Sequence, residues 1–97
     1  MTLKNFMFTI GYQGDSALVD RANLEKYGNM EESELLTAGL YKPAFSRALY
    51  KEDQEGMERV LSSYNSKTPQ KYKNLEEIKK AFGVFSVPQN ITKTIFL

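Results

Sequence analysis

The 97-residue chain contains no cysteine, no histidine and no tryptophan. Without Cys there are no disulfides, no thiol nucleophile and no thiolate metal site. Small secreted domains commonly depend on disulfides, so their absence favours a reducing compartment or indifference to redox state, and the composition as a whole sets the expectation of a cytoplasmic protein. Without His the commonest general base and the commonest metal ligand are both missing. Zinc sites and Ser-His-Asp chemistry are therefore excluded within this chain, and neither a cofactor nor a metal is expected. The charge lacks a dominant sign: 13 Lys and Arg against 12 Asp and Glu leave a net charge of +1. Such a balance steers the protein toward neither nucleic acid nor an anionic membrane surface. No apolar run approaches the ~20 residues of a membrane span. Met1 to Phe8 has neither the apolar stretch nor the small-residue cleavage site of a secretory signal.

What is present suits one globular domain over residues 1–97. Hydrophobic residues make up 41% and charged residues 26%, a balance that argues against wholesale disorder. A chain of this length buries roughly 60–70% of the surface its unfolded form exposes, enough for one modest core. The six Phe and six Tyr supply large units of burial.

Leu3 to Tyr12 reads as a strand, with Phe6, Phe8, Ile10 and Tyr12 alternating onto one face. Gln13-Gly14-Asp15-Ser16 signals a turn, and Ala17-Leu18-Val19 a short return strand, so the N-terminal segment predicts a β-hairpin. Helix punctuation follows. Asp20 caps Arg21 to Tyr27, closed by Gly28. Asn29 and Glu32 have capping-box spacing for a helix over Met30 to Ala38, ended by Gly39. Pro43 suits the first turn of a third helix, whose stripe is Phe45, Ala48 and Leu49. Asp53 caps a fourth helix with Met57, Val60, Leu61 and Tyr64 at i, i+3, i+4 and i+7. Asn65 to Lys73 is a polar loop containing Pro69. A fifth helix starts after Asn74, carries Leu75, Ile78 and Phe82, and stops at Gly83. Thr92 to Leu97 is β-branched and apolar enough for a last strand. The predicted class is α+β: an N-terminal hairpin and a C-terminal strand form a small, mainly antiparallel sheet, covered by four to five short helices. A lone hairpin is marginal in water, which is why the third strand and the helical cover are needed.

The chemistry-bearing residues form no catalytic constellation. Asp15 reads as a turn residue and Asp20 as a cap, while Glu31, Glu32 and Glu34 face the start of a helix. Gly11-Tyr12-Gln13-Gly14 lacks the lysine of a phosphate loop and the third glycine of a dinucleotide loop. Glu34 to Tyr50 reads as two ordinary packed helices rather than a DNA-reading pair. Phe8 to Tyr12 resembles the opening strand of one family of bacterial proteins, but the Asp-x-Arg segment that follows in that family is absent, and no family is claimed.

Two features bear on function. The first is the tyrosines, several of which fall at helix ends or in loops, where a ring packs inward and its hydroxyl meets water. Tyr27, Tyr41, Tyr50 and Tyr72 are candidates for a patch that touches a protein partner. The second is Lys71-Tyr72-Lys73, where a ring between two cations suits base stacking with phosphate contact, or else anchors the loop to the core. Over Ser62 to Phe82, five Lys stand against two Glu. The expectation is an accessory domain that acts through an unidentified protein partner, with a weak nucleic-acid-binding module over Lys67 to Lys80 as the alternative.

Overall fold

The computed structural model describes residues 1–97. Six helices and three strands follow one another in the order α1 (Leu3–Met7), β1 (Thr9–Gln13), β2 (Ser16–Val19), α2 (Arg21–Tyr27), α3 (Glu32–Thr37), α4 (Tyr41–Tyr50), α5 (Gln54–Lys67), α6 (Leu75–Phe82) and β3 (Lys93–Phe96). The fold is α+β, with a three-stranded sheet in the order β1-β2-β3.

The hairpin turns where expected. Gln13 pairs with Ser16 across a two-residue loop, with Gly14 at φ +60° in its first position. Positive φ is cheap there only for glycine, and it twists the loop to match the strands. The first half of the expected strand is instead helix. Thr2 caps α1 by accepting a hydrogen bond from the Asn5 N–H. Leu3, Phe6 and Met7, three and four residues apart, then face α4, with Phe6 and Met7 buried. Of the four residues expected on one strand face, Phe6 and Phe8 are buried, whereas Ile10 and Tyr12 are exposed. The register of β1 also breaks between Thr9 and Gly11, as a bulge does.

The last strand joins β2, but parallel to it, so the sheet is mixed. The tail crosses after α6 and enters beside the turn, where the Thr92 and Lys93 N–H groups both donate to the Asp15 carbonyl. That entry point sets the strand direction. Ala17 and Val19 alternate onto the sheet face that the rest of the chain covers, and both are fully buried.

Thirteen buried side chains make one core cluster. Its hub is α4, which packs on α1, α3 and α5 and contributes Ala44, Phe45 and Ala48. The expected stripe of α5 is borne out: Met57, Val60 and Leu61 are buried and Tyr64 packs beside them. Asp20, Asp53 and Asn74 cap α2, α5 and α6 through side-chain bonds to the Asn23, Gly56 and Glu77 N–H groups.

Two boundaries differ from the expectation. The helix placed at Met30 begins at Glu32, because Glu34 accepts the Glu31 N–H at 3.1 Å. Asn29 instead accepts from the Lys4 ammonium. Glu32 forms a two-pronged pair with Arg59 at 2.7 and 3.2 Å, which ties α3 to α5. Helix α5 also runs on to Lys67, into the segment expected to be loop, and Thr68 Oγ1 donates to the Tyr64 carbonyl at its end. No helix is long and apolar enough to cross a membrane.

Candidate functional site

Two of the four tyrosines singled out from the sequence meet through a third. Tyr41 lies edge-on to Tyr64 at 5.2 Å between ring centres, and Tyr72 stacks on Tyr64 at 5.3 Å. Phe82 closes the group, edge-on to Tyr64 at 5.6 Å. All four rings are half-buried and fasten α4, α5, α6 and the loop before α6 together. The side-chain amide of Asn65 pins that loop, donating to the Tyr72 carbonyl at 2.7 Å and accepting the Tyr72 N–H at 2.9 Å. Burial of the ring, followed by the neighbouring Tyr64 hydroxyl, pushes the Tyr72 phenol above its ordinary pKa.

The other two tyrosines lie apart. Tyr50 packs on Phe6 at 5.5 Å and donates its hydroxyl to the Met1 carbonyl at 2.6 Å. Tyr27 sits half-buried at the end of α2, with the Lys26 ammonium 5.2 Å from its ring centre. The lysines divide as well. Lys71 donates to the Thr68 carbonyl at 3.0 Å and to the Asn65 carbonyl, which places its charge at the C-terminal end of α5. Lys73 is exposed, and its backbone N–H donates to Glu77 Oε1 at 2.7 Å. Lys79 pairs with Glu76 at 3.5 Å. With Tyr72 stacked on Tyr64 and Lys71 bonded to backbone, Lys71-Tyr72-Lys73 is a loop anchored to the core.

A different surface, which the sequence did not single out, lies at the free edge of β1. An open cleft of about 130 Å³ is lined by Thr9, Ile10, Gly11 and Tyr12 of β1, by Lys42 and Ser46 of α4, and by Gly83, Val84 and Phe85 after α6, with Phe6 beside them. Its rim is apolar: Ile10 is 58% exposed and Phe85 62%, with Tyr12 also exposed. Partial burial here raises the Tyr12 phenol pKa. A second cleft of about 230 Å³ shares Thr9, Ile10 and Lys42 and continues the groove to Tyr27 and Leu40. Tyr27 is thus the one sequence-level candidate that borders this groove.

No family model matches this chain, and no curated protein or solved structure matches it either.

Ile10, Phe85, Lys42 and Ser46 were not singled out for function from the sequence. Ile10 reads there as a core-facing strand residue, and Phe85 lies in an unpatterned tail. The one local signal was Lys42 and Ser46, four residues apart and therefore on one side of α4. No group of three or more acidic side chains comes together to hold a metal ion.

Proposed function

We propose that this chain is a small cytoplasmic accessory domain that acts by holding a protein partner at the groove beside β1. The observation that carries the reading is the clustering of Ile10, Tyr12 and Phe85, large apolar side chains left open around one cleft. Single exposed apolar residues are ordinary, whereas a contiguous group rimmed by polar residues is the mark of an interaction surface. Tyr27 extends that surface, while Tyr41, Tyr50 and Tyr72 serve packing in this reading. The lysines support it indirectly. Lys71 and Lys79 already have partners within the protein, which leaves few free cations between Lys67 and Lys80 for phosphate.

The test is affinity purification with the tagged chain and with an Ile10→Glu, Phe85→Glu double variant shown by circular dichroism to be folded. A protein that co-purifies with the first and is lost with the second is the expected result. Equal recovery with both, or no specific protein, counts against the reading. Fluorescence anisotropy tests the alternative. Dissociation constants for mixed oligonucleotides are expected to be weaker than about 10 μM at physiological salt. Sub-micromolar, salt-sensitive binding that disappears in a Lys71→Ala, Lys73→Ala double variant would put nucleic acid in place of the protein partner.

A further inference from the structure

We infer that the groove takes an extended segment of the partner, hydrogen-bonded along Thr9–Tyr12 of β1 and carrying an acidic side chain that meets Lys42. This rests on the protein-partner reading and names what kind of partner the site fits.

The first support is the shape of the lining. Side chains of a strand alternate between two faces, so a cleft over one face touches every second residue. Here four consecutive residues, Thr9, Ile10, Gly11 and Tyr12, line the same cleft. The bulge between Thr9 and Gly11 breaks the alternation there, but Gly11 and Tyr12 are consecutive in regular register beyond it and both line the cleft, which places that wall along the edge of β1. That edge is unpaired, because β2 is the only neighbour of β1 in the sheet. Alternate backbone N–H and C=O groups of an edge strand point outward and are the template on which an added strand forms.

The second support is charge. Lys42 is the only charged residue lining the cleft, and none of the five ion pairs of the protein includes it. At the far end of the groove, Asp20 is engaged as the cap of α2.

The third support is Ser46, which is only 3% exposed yet lines the cleft one helical turn from Lys42. It makes no side-chain hydrogen bond within the protein, although a helical serine commonly bonds the carbonyl four residues back. No side-chain polar atom is both fully enclosed and unpartnered, so the Ser46 hydroxyl opens onto the cleft. An ammonium and a hydroxyl on one side of a helix suit a carboxylate. Phe6, Val84 and Phe85 suit an apolar side chain beside it.

A free small anion would use Lys42 and Ser46 but leave the strand edge and Phe85 unengaged. A second copy presented through β1 brings no anion, since Thr9–Gln13 carries no acidic residue. An acidic, β-forming segment of another protein uses all three features.

The test is to pan the full-length folded chain against phage-displayed random heptapeptides and synthesise the enriched sequences. Enrichment of Asp or Glu beside an aromatic or branched apolar residue is expected. Lys42→Glu should weaken binding of those peptides by at least about ten-fold, Ser46→Ala by about three-fold, and Lys80→Glu not at all. Lys42→Arg should keep most of the affinity. Methylation of alternate backbone nitrogens of the peptide should remove binding, because it blocks strand pairing. Lys42 is exposed and unpaired, so its variants should melt with the parent chain, a control measured alongside. Failure to enrich any peptide, or enrichment of peptides indifferent to Lys42→Glu, overturns the inference. Tolerance of methylation with dependence on Lys42 retained also overturns it, making the cleft a side-chain or small-anion pocket. Binding that maps instead to Ile95 and Phe96, exposed on β3 at the other edge of the sheet, overturns this inference and the placing of the partner at the β1 groove, while leaving a protein partner as such.

Discussion

Replacing Phe45 by alanine tests the packing on which the rest of the molecule depends. Phe45 is fully buried at the centre of α4 and lies edge-on to Phe82, with ring centres 6.2 Å apart. A phenylalanine buries about 150–250 Å². At about 25 cal/mol per Å², this is worth ~4–6 kcal/mol against a fully extended chain, and less against a realistic unfolded ensemble. The methyl of alanine recovers a little, whereas the cavity and the lost edge-on contact add to the cost, giving ~3–5 kcal/mol. A domain of this length is stable by about 5–15 kcal/mol, so one truncation removes a large share. At ~4–8 °C per kcal/mol, the melting temperature should fall by about 12–40 °C. Urea and thermal denaturation followed by circular dichroism measure both quantities, with Lys42→Ala on the outer side of α4 as a control expected within ~0.5 kcal/mol. A Phe45→Ala loss below about 1 kcal/mol with an unchanged urea slope would show that α4 is not the hub.

Three further outcomes are expected. Glu52, between α4 and α5, has φ +56°, a left-handed conformation that costs an ordinary residue about 1 kcal/mol, so Glu52→Gly should raise the urea midpoint; a lowered midpoint would mean that its side chain matters more than its backbone. The raised Tyr72 phenol means that the folded chain holds this proton more tightly than the unfolded chain, so its contribution is whole below pH 10.0 and is lost as pH rises beyond it; urea midpoints at rising pH should fall less steeply for Tyr72→Phe, and parallel curves would refute the assignment. Removing residues 93–97 strips the β2–β3 pairing and deletes the bond from Leu97 N–H to the Val19 carbonyl; size-exclusion chromatography should show aggregation, or thermal denaturation an earlier melt, whereas an unchanged monomer with an unchanged melting temperature would make β3 dispensable.

Much of this fold was legible because its signals are local. Asp20, Asp53 and Asn74 each satisfy a backbone N–H three residues on, a reach of one helical turn, so the residue types and spacing announce the helix starts. The stripe of α5, Met57, Val60, Leu61 and Tyr64, covers two turns of a fourteen-residue helix, enough for its period to show. Helix α1 has five residues, too few for a period, and Phe6, Phe8, Ile10 and Tyr12 mimic the alternation of a strand. Its informative residue was the cap, Thr2. The parallel direction of β3 was not legible, since it depends on where the crossing chain arrives. The groove was illegible for the same reason: it joins residues 9–12, 42, 46 and 83–85, and no window along the chain contains all three segments.

The same helix links the core to the groove. Ala44, Phe45 and Ala48 bury one side of α4, while Lys42 and Ser46 line the cleft. Opposite them, β1 is held by its pairing to β2, and the chain after α6 is fixed by Val84, itself buried in the core cluster. All three walls of the groove are therefore anchored by packing or backbone bonding. A docking site built this way needs little ordering on binding, so most of the entropic cost falls on the incoming segment. A peptide already biased toward an extended conformation should therefore bind this edge more tightly than a flexible one with the same side chains.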